Sequence, residues 1–436
     1  MSTLVAVLLR RGDRYRLHPT PSQEARLAAW GGALRFLWNL AHGQREAMGR
    51  RCRVDRHPIT AFDQIHELTE LRADLPWLAD VPRDVCAQLL VQLDLAWQRF
   101  FEGAGGRPRF KRKGRDRAPC VAPQAFRVEG EGRRGSVVFP KLGRVRAIVH
   151  RPLRGRAKQC ALVLDAGDWF AAVSQEIEIA DPVPSTKPTV AIDRGVVTLL
   201  ADSNDVLVPN PRHGAKVQLR LARAQRSVAR KKKGSQNQKK ARAKVARIQR
   251  RARRQRAHTL HTLSRHYAQN HSVVIIESLA VKNMTRSASG SVEEPGTNVS
   301  QKRGLNRSIL DVGWSMFEVM LRYKVVPEGG RVLGVWPAYS SQTCRVCGAV
   351  DTASRITQSL FRCTRCGHEE HADTNASKVL LARGLSVLAV EPTETGCGGN
   401  AARGRPTKQQ RCVARRPHRS NAEATAPAKA PVFGPG

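Results

Sequence analysis

The chain has 436 residues and a formal charge of +39, from 75 Lys or Arg against 36 Asp or Glu. Its length allows two or three domains with hydrophobic cores, and its charge indicates a polyanionic partner, nucleic acid, rather than a membrane surface or no partner. With no apolar run of about 18 residues and no signal-peptide order at its start, the sequence predicts no transmembrane helix and places its cysteines in a reducing compartment.

The first 181 residues alternate between strand and helix patterns. Residues 4–18 suggest two short strands around a Gly-Asp turn, and apolar residues then recur at helical spacing from Thr20 to about residue 103. A basic loop, GRPRFKRKGRDR, follows the helices. Strand patterns return over 124–181, where DAGD reads as a hairpin turn. The N-terminal half is therefore predicted to be a small β domain with a helical insertion.

The second half begins after PVPSTKP, which we interpret as a linker over 182–188. A strand, TVAID, is followed by a second, VVTLLADS, in a hairpin. Residues 206–276 then contain 20 Lys or Arg and no Asp or Glu, with apolar residues at helical spacing on both sides of GSQNQ. Because charge of one sign repels itself unless a polyanion neutralises it, we interpret this segment as a nucleic-acid-binding helical hairpin rather than a solvated face.

Two more strands, SVVIIE and RVLGVWP, flank a helix near LDVGWSMF. After about residue 391 the chain is rich in Gly, Pro, Ala and Arg without periodicity, which predicts a disordered basic tail over 392–436.

Four cysteines follow the pattern C-x2-C-x15-C-x2-C, which is typical of a zinc ribbon. Each Cys-x-x-Cys pair presents two thiolates from one tight turn, aided by Gly348 and Gly367. Four thiolates complete a tetrahedral site and leave no position for a substrate, so the predicted zinc is structural. The predicted ligands are Cys344, Cys347, Cys363 and Cys366.

Three carboxylates stand at the ends of apolar segments. Asp193 ends one hydrophobic strand, Glu277 ends another, and Asp373 opens a helix. Each alone has an ordinary interpretation as a turn residue, a strand end or a helix N-cap. The order strand, hairpin, strand, helix is that of an RNase H-like nuclease core, and a buried carboxylate group is usually compensated by divalent cations. We therefore expect a site for two Mg²⁺ ions that hydrolyses phosphodiesters.

Several motifs occur in a family-specific order: YRLHPTPSQ, RPRFKRKGR, AIDRGV, IIESLAVKNM, LNRSILDVGW, YSSQTCRVCG and HADTNAS. Together they resemble the transposon-encoded TnpB proteins and their descendants, the compact type V CRISPR effectors. The resemblance covers nearly everything except the tail.

That resemblance implies an α/β, multi-domain α+β architecture: a wedge β-barrel with an inserted helical recognition lobe, then a RuvC nuclease domain carrying a zinc-ribbon insertion. The implied boundaries are wedge 1–19 and 107–181, recognition lobe 20–106, linker 182–188, RuvC 189–340 and 371–391 with the basic hairpin at 214–270, zinc ribbon 341–370, and tail 392–436.

The same resemblance implies an RNA-guided DNA endonuclease of the prokaryotic cytoplasm or nucleoid, with Asp193, Glu277 and Asp373 as its catalytic triad. Its partners would be a guide RNA and a target double-stranded DNA, with no membrane and no required protein partner. Two alternatives stay open: an RNA-guided repressor that binds without cutting, and a basic zinc-ribbon protein without a guide. We expect phosphate contacts from two basic clusters, Lys111, Arg112 and Lys113, and Lys231, Lys232 and Lys233.

Overall fold

The structure is a computed structural model, and it describes residues 6–51, 59–113, 120–122, 125–290 and 294–390. The predicted tail over 392–436 lies outside these residues. The described residues up to 386 form one compact unit, and the described residues 387–390 belong to a second.

The N-terminal half is built on an antiparallel sheet of seven strands in the order β2-β6-β7-β1-β5-β4-β3. The strands are β1 (Ala6–His18), β2 (Cys120–Ala122), β3 (Arg127–Glu129), β4 (Ser136–Phe139), β5 (Gly143–Ile148), β6 (Arg156–Asp165) and β7 (Asp168–Ala180). The predicted DAGD turn is confirmed, since Ala166 and Gly167 connect β6 to β7 with positive φ angles of 49° and 92°.

The prediction of two strands around a Gly-Asp turn is wrong, because β1 is one continuous strand. Gly12 and Asp13 stay in register with Ser174 and Val173 of β7. The buried carboxylate of Asp13 accepts a hydrogen bond of 2.5 Å from the amide of Gln175. This contact with a residue 162 positions away satisfies the polar group inside the sheet, so the chain does not turn.

Four helices between β1 and β2 cover one face of this sheet: α1 (Pro21–Arg51), α2 (Ala61–Asp74), α3 (Pro76–Ala79) and α4 (Arg83–Phe101). Trp30 of α1 and Leu89 of α4 share one hydrophobic core with Tyr15 and Phe139 of the sheet. The prediction of a barrel needs correction, because the sheet is open, with β2 and β3 at its two edges. Since the helices already bury the apolar face, the sheet has no need to close on itself.

The second half contains a mixed sheet of five strands in the order β10-β9-β8-β11-β12, in which β8, β11 and β12 are parallel. Its strands are β8 (Val190–Asp193), β9 (Thr198–Asp202), β10 (Leu207–Pro209), β11 (Val273–Glu277) and β12 (Arg331–Val335). The predicted basic hairpin is confirmed as α5 (His213–Ala229) and α6 (Gln236–Asn270). Three further helices precede β12: α7 (Val281–Met284), α8 (Val299–Val312) and α9 (Trp314–Val325).

The zinc-ribbon segment follows β12 and contains a two-stranded sheet of β13 (Leu360–Arg362) and β14 (Glu369–His371). It leads directly into α10 (Ala372–Val390), which packs on the five-stranded sheet. A Cβ atom at Gly384 of α10 would lie 2.2 Å from the Cδ1 atom of Ile275 in β11. The absence of a side chain at Gly384 therefore sets how closely α10 approaches the sheet.

The β6–β7 hairpin is bound to the long helix α6 by ion pairs. Arg253 contacts the carboxylate of Asp165 at 2.6 Å, and Arg250 contacts that of Asp168 at 2.6 Å. Arg254 of α6 also lies over the ring of Phe170, 5.2 Å from its centroid. Part of the positive charge of α6 is therefore neutralised inside the protein.

Candidate active site

Asp193 and Glu277 lie side by side at the ends of two neighbouring parallel strands. β8 and β11 pair in register up to Ile192 and Ile276, so the next residues in each strand are the two acids. Neighbouring strands are about 4.8 Å apart, and the carboxyl ends of parallel strands are where open α/β sheets place their ligands. Local sequence explains the placement, because four apolar residues of β11 fill the core and Glu277 is the first polar one.

The two acids are held in a setting that disfavours their ionisation. Burial raises the pKa of Asp193 well above its usual range, and the charges of Glu277 and Asp373 raise it further. Burial also raises the pKa of Glu277, although Arg194 opposes that effect. Two buried carboxylates with raised pKa values beside a third acid are a setting that a divalent cation relieves, since it offsets both burial and repulsion.

Arg194, the residue after Asp193, is buried and holds Glu277 in place through hydrogen bonds. Its backbone N–H donates to the Glu277 carboxylate at 3.4 Å, and its guanidinium donates to the backbone carbonyl of Glu277. The guanidinium also pairs with Glu318 of α9 at 3.4 Å. The sequence gives no signal for this role, because an arginine after a strand is usually exposed.

Asp373 reaches the site from the first turn of α10, and the zinc ribbon contributes its partner. The guanidinium of Arg355 lies 3.3 Å from the Asp373 carboxylate, and the same charge lowers the pKa of Asp193. Asp373 also donates its backbone N–H to Nδ1 of His371 at 3.2 Å. Arg355 is a residue that sequence reasoning missed, since no local motif marks it within the long spacer between the cysteine pairs.

The four predicted zinc ligands converge. Their sulfur atoms all lie within 4.8 Å of one another, with Cys344 to Cys366 at 3.7 Å and Cys347 to Cys363 at 3.5 Å. Four sulfurs at about 2.3 Å from a tetrahedral ion would be about 3.8 Å apart, so the set fits zinc. Gly348 and Gly367 have φ angles of 72° and 71°, which lets each loop turn back. In the second loop the backbone N–H of Cys366 donates to Sγ of Cys363 at 3.5 Å.

The cysteines differ from the carboxylates in how tightly they cluster. Within the described ranges, the four cysteines are the one group of three or more potential ligands whose atoms meet the 4.8 Å limit. Asp193, Glu277 and Asp373 are electrostatic neighbours but do not meet it. Asp373 has a contact of its own, the ion pair with Arg355.

Asn375 ties the ribbon to the helix that carries Asp373. Its buried side chain donates to the carbonyl of Thr343 at 2.8 Å and accepts from the N–H of Arg345 at 3.1 Å. These two backbone groups flank Cys344, the first of the predicted zinc ligands. The position of the first cysteine loop and the start of α10 are therefore set together.

A second candidate site is a cavity of about 1290 Å³ between β1, the turn after β5, α6 and α9. Seven Arg or Lys side chains and four His side chains line it, against Asp13 and Glu328. Burial, together with the charge of Arg265, lowers the pKa of Lys324 in this cavity to about 8. Crowded cations of this kind are what bound phosphates would neutralise.

The predicted phosphate contacts lie at two separate places. Lys231, Lys232 and Lys233 form the turn between α5 and α6, where the last two are exposed. Arg112 and Lys113 are also exposed, in the loop after α4. Lys111 has a structural contact instead, since its ammonium group lies 4.0 Å from the centroid of the Trp38 ring. None of these six residues lines the cavity. The cavity itself was not predicted from the sequence.

Three family models match segments of the chain. "Probable transposase" matches residues 172–288, "Cas12f1-like, TNB domain" matches 314–380, and "Helix-turn-helix domain" matches 9–48. In this structure the last of these segments is a strand followed by one long helix, β1 and α1.

Relatives match over almost the whole length. The chain is 34% identical over 400 residues to "Putative RNA-guided DNA endonuclease InsQ" of Escherichia coli K12, covering 91% of this chain and 96% of the relative. It is 30% identical to an RNA-guided DNA endonuclease, similarly described, of Streptomyces pristinaespiralis, covering 87% and 91%. A solved Cas12f1–sgRNA–target DNA complex covers 85% of this chain and 98% of its own, at 13% identity and a TM-score of 0.31. Because the identity and the TM-score of this structure are so low, the family is assigned from the two sequence relatives alone.

Among the helices of the described segments, none combines the length and the apolar content that a membrane crossing needs.

Proposed function

The chain belongs to the TnpB-like family of RNA-guided DNA endonucleases, and from that membership we propose that it binds a guide RNA and cuts a matching DNA. The observation that carries the proposal is the placement of Asp193 and Glu277 on adjacent parallel strands, with Asp373 as their electrostatic neighbour. The domain boundaries implied by the resemblance belong to this proposal as well.

We assign the three carboxylates to metal binding and not to guide or target recognition. Mg²⁺ held there would supply an activated water and would stabilise the charge on the leaving oxygen of the phosphodiester. Arg194 keeps Glu277 in place, and α10 brings Asp373 to the same edge of the sheet. Arg355 offers a cation beside the carboxylates, where a phosphate of the DNA would lie during cleavage.

We further propose that the four cysteines hold one structural Zn²⁺. Their sulfur spacing and the two left-handed glycines support that ion, and a closed set of four thiolates gives it no catalytic role. Through Asn375, the bound ion would fix the position of α10 and so of Asp373.

For the guide RNA we propose the cationic cavity, together with the exposed turn of the α5–α6 hairpin and the loop at Arg112 and Lys113. Seven Arg or Lys side chains and two acids line the cavity, and the exposed lysines of the turn extend the positive surface. Contacts with many phosphates would make RNA binding fall steeply with salt concentration.

The test begins with the RNA that copurifies with the protein, which is sequenced so that a matching duplex DNA can be made. Wild-type protein should cut this duplex in Mg²⁺ or Mn²⁺ but not in Ca²⁺, whose larger size and looser coordination do not hold an in-line arrangement. Asp193→Asn should lower the cleavage rate by about 10³-fold or more while guide-dependent DNA binding persists. Asp181→Asn, at an exposed position outside the site, is the matched control.

The alternative function, guide-dependent repression without cleavage, predicts a different result in the same assay. It requires that the wild type bind the matched duplex and leave it intact under every divalent metal. Loss of sequence-specific DNA binding should follow ribonuclease treatment under both functions, whereas a basic zinc-ribbon protein without a guide would keep its DNA binding.

A further inference from the structure

Two large aromatic side chains stand in solvent at the edge of the sheet that carries the carboxylates. Trp336 is 75% exposed and Tyr339 is 65% exposed. β11 and β12 are parallel, and Glu277 is in register with Val335, so Trp336 leaves the sheet one residue beyond the level of Glu277. The segment from Trp336 to Ser340 thus begins at the carboxyl end of the strands, beside the candidate active site.

The backbone of this segment is held firmly, although its rings are exposed. Arg383 of α10 donates to the carbonyls of Trp336 at 3.0 Å and Ala338 at 2.8 Å. The carbonyl of Tyr339 accepts from Thr343 Oγ1 at 2.7 Å, and the hydroxyl of Ser340 donates to the carbonyl of Pro337 at 3.0 Å. Because Arg383 lies on α10, whose first turn carries Asp373, the two rings are positioned by the same element as the third carboxylate.

The conformation of Tyr339 carries a cost. Its φ angle is 60°, in the left-handed region that disfavours a side chain by about 1–2 kcal/mol. A tyrosine at such a position gains nothing from burial, since most of its surface is exposed. Within the described segments, neither ring has a ring–ring or cation–π contact that would compensate. The backbone strain at Tyr339 is not offset by packing of its ring within the protein. Such strain at the edge of a site points to a functional contact.

We propose that Trp336 and Tyr339 form a stacking platform for unpaired bases of the DNA strand that enters the carboxylate site; this rests on the proposed nuclease function. Aromatic rings bind single strands by stacking on base faces, which a paired duplex hides. The occupant is a polyanion, because the chain has a charge of +39 and the ribbon places Arg355 beside Asp373. Stacking on an aromatic ring accepts any base, which suits a nuclease whose target sequence is set by its guide RNA.

The platform would act on binding and positioning, and not on the chemical step. We therefore expect Trp336→Ala with Tyr339→Gly to raise KM for a short single-stranded DNA about 5- to 100-fold, with kcat changed less than about threefold. Trp336→Phe should keep most of the wild-type KM, because it retains a flat ring. Tyr339→Gly relieves the left-handed strain, so a folding defect does not explain its effect. Phe62→Ala, which removes an exposed ring from α2, is the control.

A binding readout keeps this test separate from cleavage. Guide-loaded Asp193→Asn protein is mixed with matched DNA carrying 2-aminopurine at successive positions near the cut. Stacking on the platform should quench the fluorescence at one or two positions, and Trp336→Ala with Tyr339→Gly should restore it. Equal quenching in both proteins overturns the platform, even if cleavage is intact. A wild type that never cuts yet shows ring-dependent quenching would refute the nuclease function and keep the platform.

A second copy of the chain is the other candidate to cover these rings. Sedimentation of the guide-loaded protein decides between them: a dimer that the double substitution converts to monomers would overturn base stacking. An unchanged oligomeric state, with lost quenching, supports the platform.

Discussion

Arg355 of the zinc ribbon and Asp373 of α10 form an ion pair of 3.3 Å at the edge of the candidate active site. Both side chains are mostly shielded from solvent, with 29% and 15% exposed. The third carboxylate is therefore already paired with a cation, which a divalent metal must share or displace.

Removing that guanidinium should strengthen metal binding by the carboxylates. We expect Arg355→Ala to lower the Kd for Mn²⁺ about 3- to 10-fold, because a competing ion pair of about 1 kcal/mol is lost. Arg355→Lys keeps the charge and should change the Kd much less. Titration calorimetry with Mn²⁺ measures both values. An unchanged or weaker affinity in Arg355→Ala would show that the guanidinium does not compete with the metal.

The raised pKa of Asp193 predicts a pH-dependent cost in stability. A carboxyl whose pKa is higher in the folded than in the unfolded state loses stability as pH rises from its unfolded pKa through its folded pKa. In EDTA, Asp193→Asn should therefore melt at a higher temperature than the wild type at pH 8, with a smaller difference at pH 5. The scale is about 1.4 kcal/mol for each unit by which the pKa is raised.

Thermal melting of metal-free protein at both pH values checks this prediction. Asp181→Asn, at an exposed position, is melted beside it as the control. A gain from Asp193→Asn that is equal at pH 5 and pH 8 would mean that ionisation is not its cause.

The cysteine cluster predicts one tightly held zinc per chain. Cys347→Ala leaves three thiolates, and we expect the purified protein to lose most of its zinc and its ribbon to become sensitive to protease near residues 341–370. Cys86→Ala removes a buried thiol from the N-terminal core and should leave the zinc content unchanged. Elemental analysis and limited proteolysis report the two effects. Freshly purified wild type without zinc would contradict the assignment.

Close packing at Gly384 predicts a substitution that acts on the active site from a distance. A methyl group there meets the side chain of Ile275, so Gly384→Ala should cost about 1–3 kcal/mol and shift α10, lowering cleavage as well as stability. Gly304→Ala in α8 meets no atom within 4 Å and should be neutral or stabilise by about 0.5–1 kcal/mol. Chemical denaturation and cleavage rates are measured for both. If the two variants are equally stable, the contact between Gly384 and Ile275 does not determine the position of α10.

Local patterns predict the parts of the site that depend on neighbours in sequence. The apolar runs before Asp193 and Glu277 define strands whose ends must be polar, and the cysteine spacing defines two turns. Long-range contacts are not visible in that way. The strand through Gly12 depends on Gln175, and the buried role of Arg194 depends on Glu318.

The ion pairs of the basic helices are also long-range contacts that local sequence does not show. The sequence assigns every arginine of α6 to nucleic acid, because no acid lies nearby in the chain. In the structure, Asp165 and Asp168 arrive from the β6–β7 hairpin and engage Arg250 and Arg253. The cationic cavity, in turn, is assembled from segments that are far apart in the chain, among them β1, α6 and α9.

The chain order of the three carboxylates has a consequence during translation. Asp193 and Glu277 are made well before Asp373, which comes 180 residues after Asp193. At about 5–20 residues per second, that interval is about 10–40 s. β1, α6 and α9, which line the cationic cavity, have all been synthesised before Asp373. In a nascent chain, the elements that line the proposed guide-RNA cavity are therefore complete before the third proposed metal ligand is made.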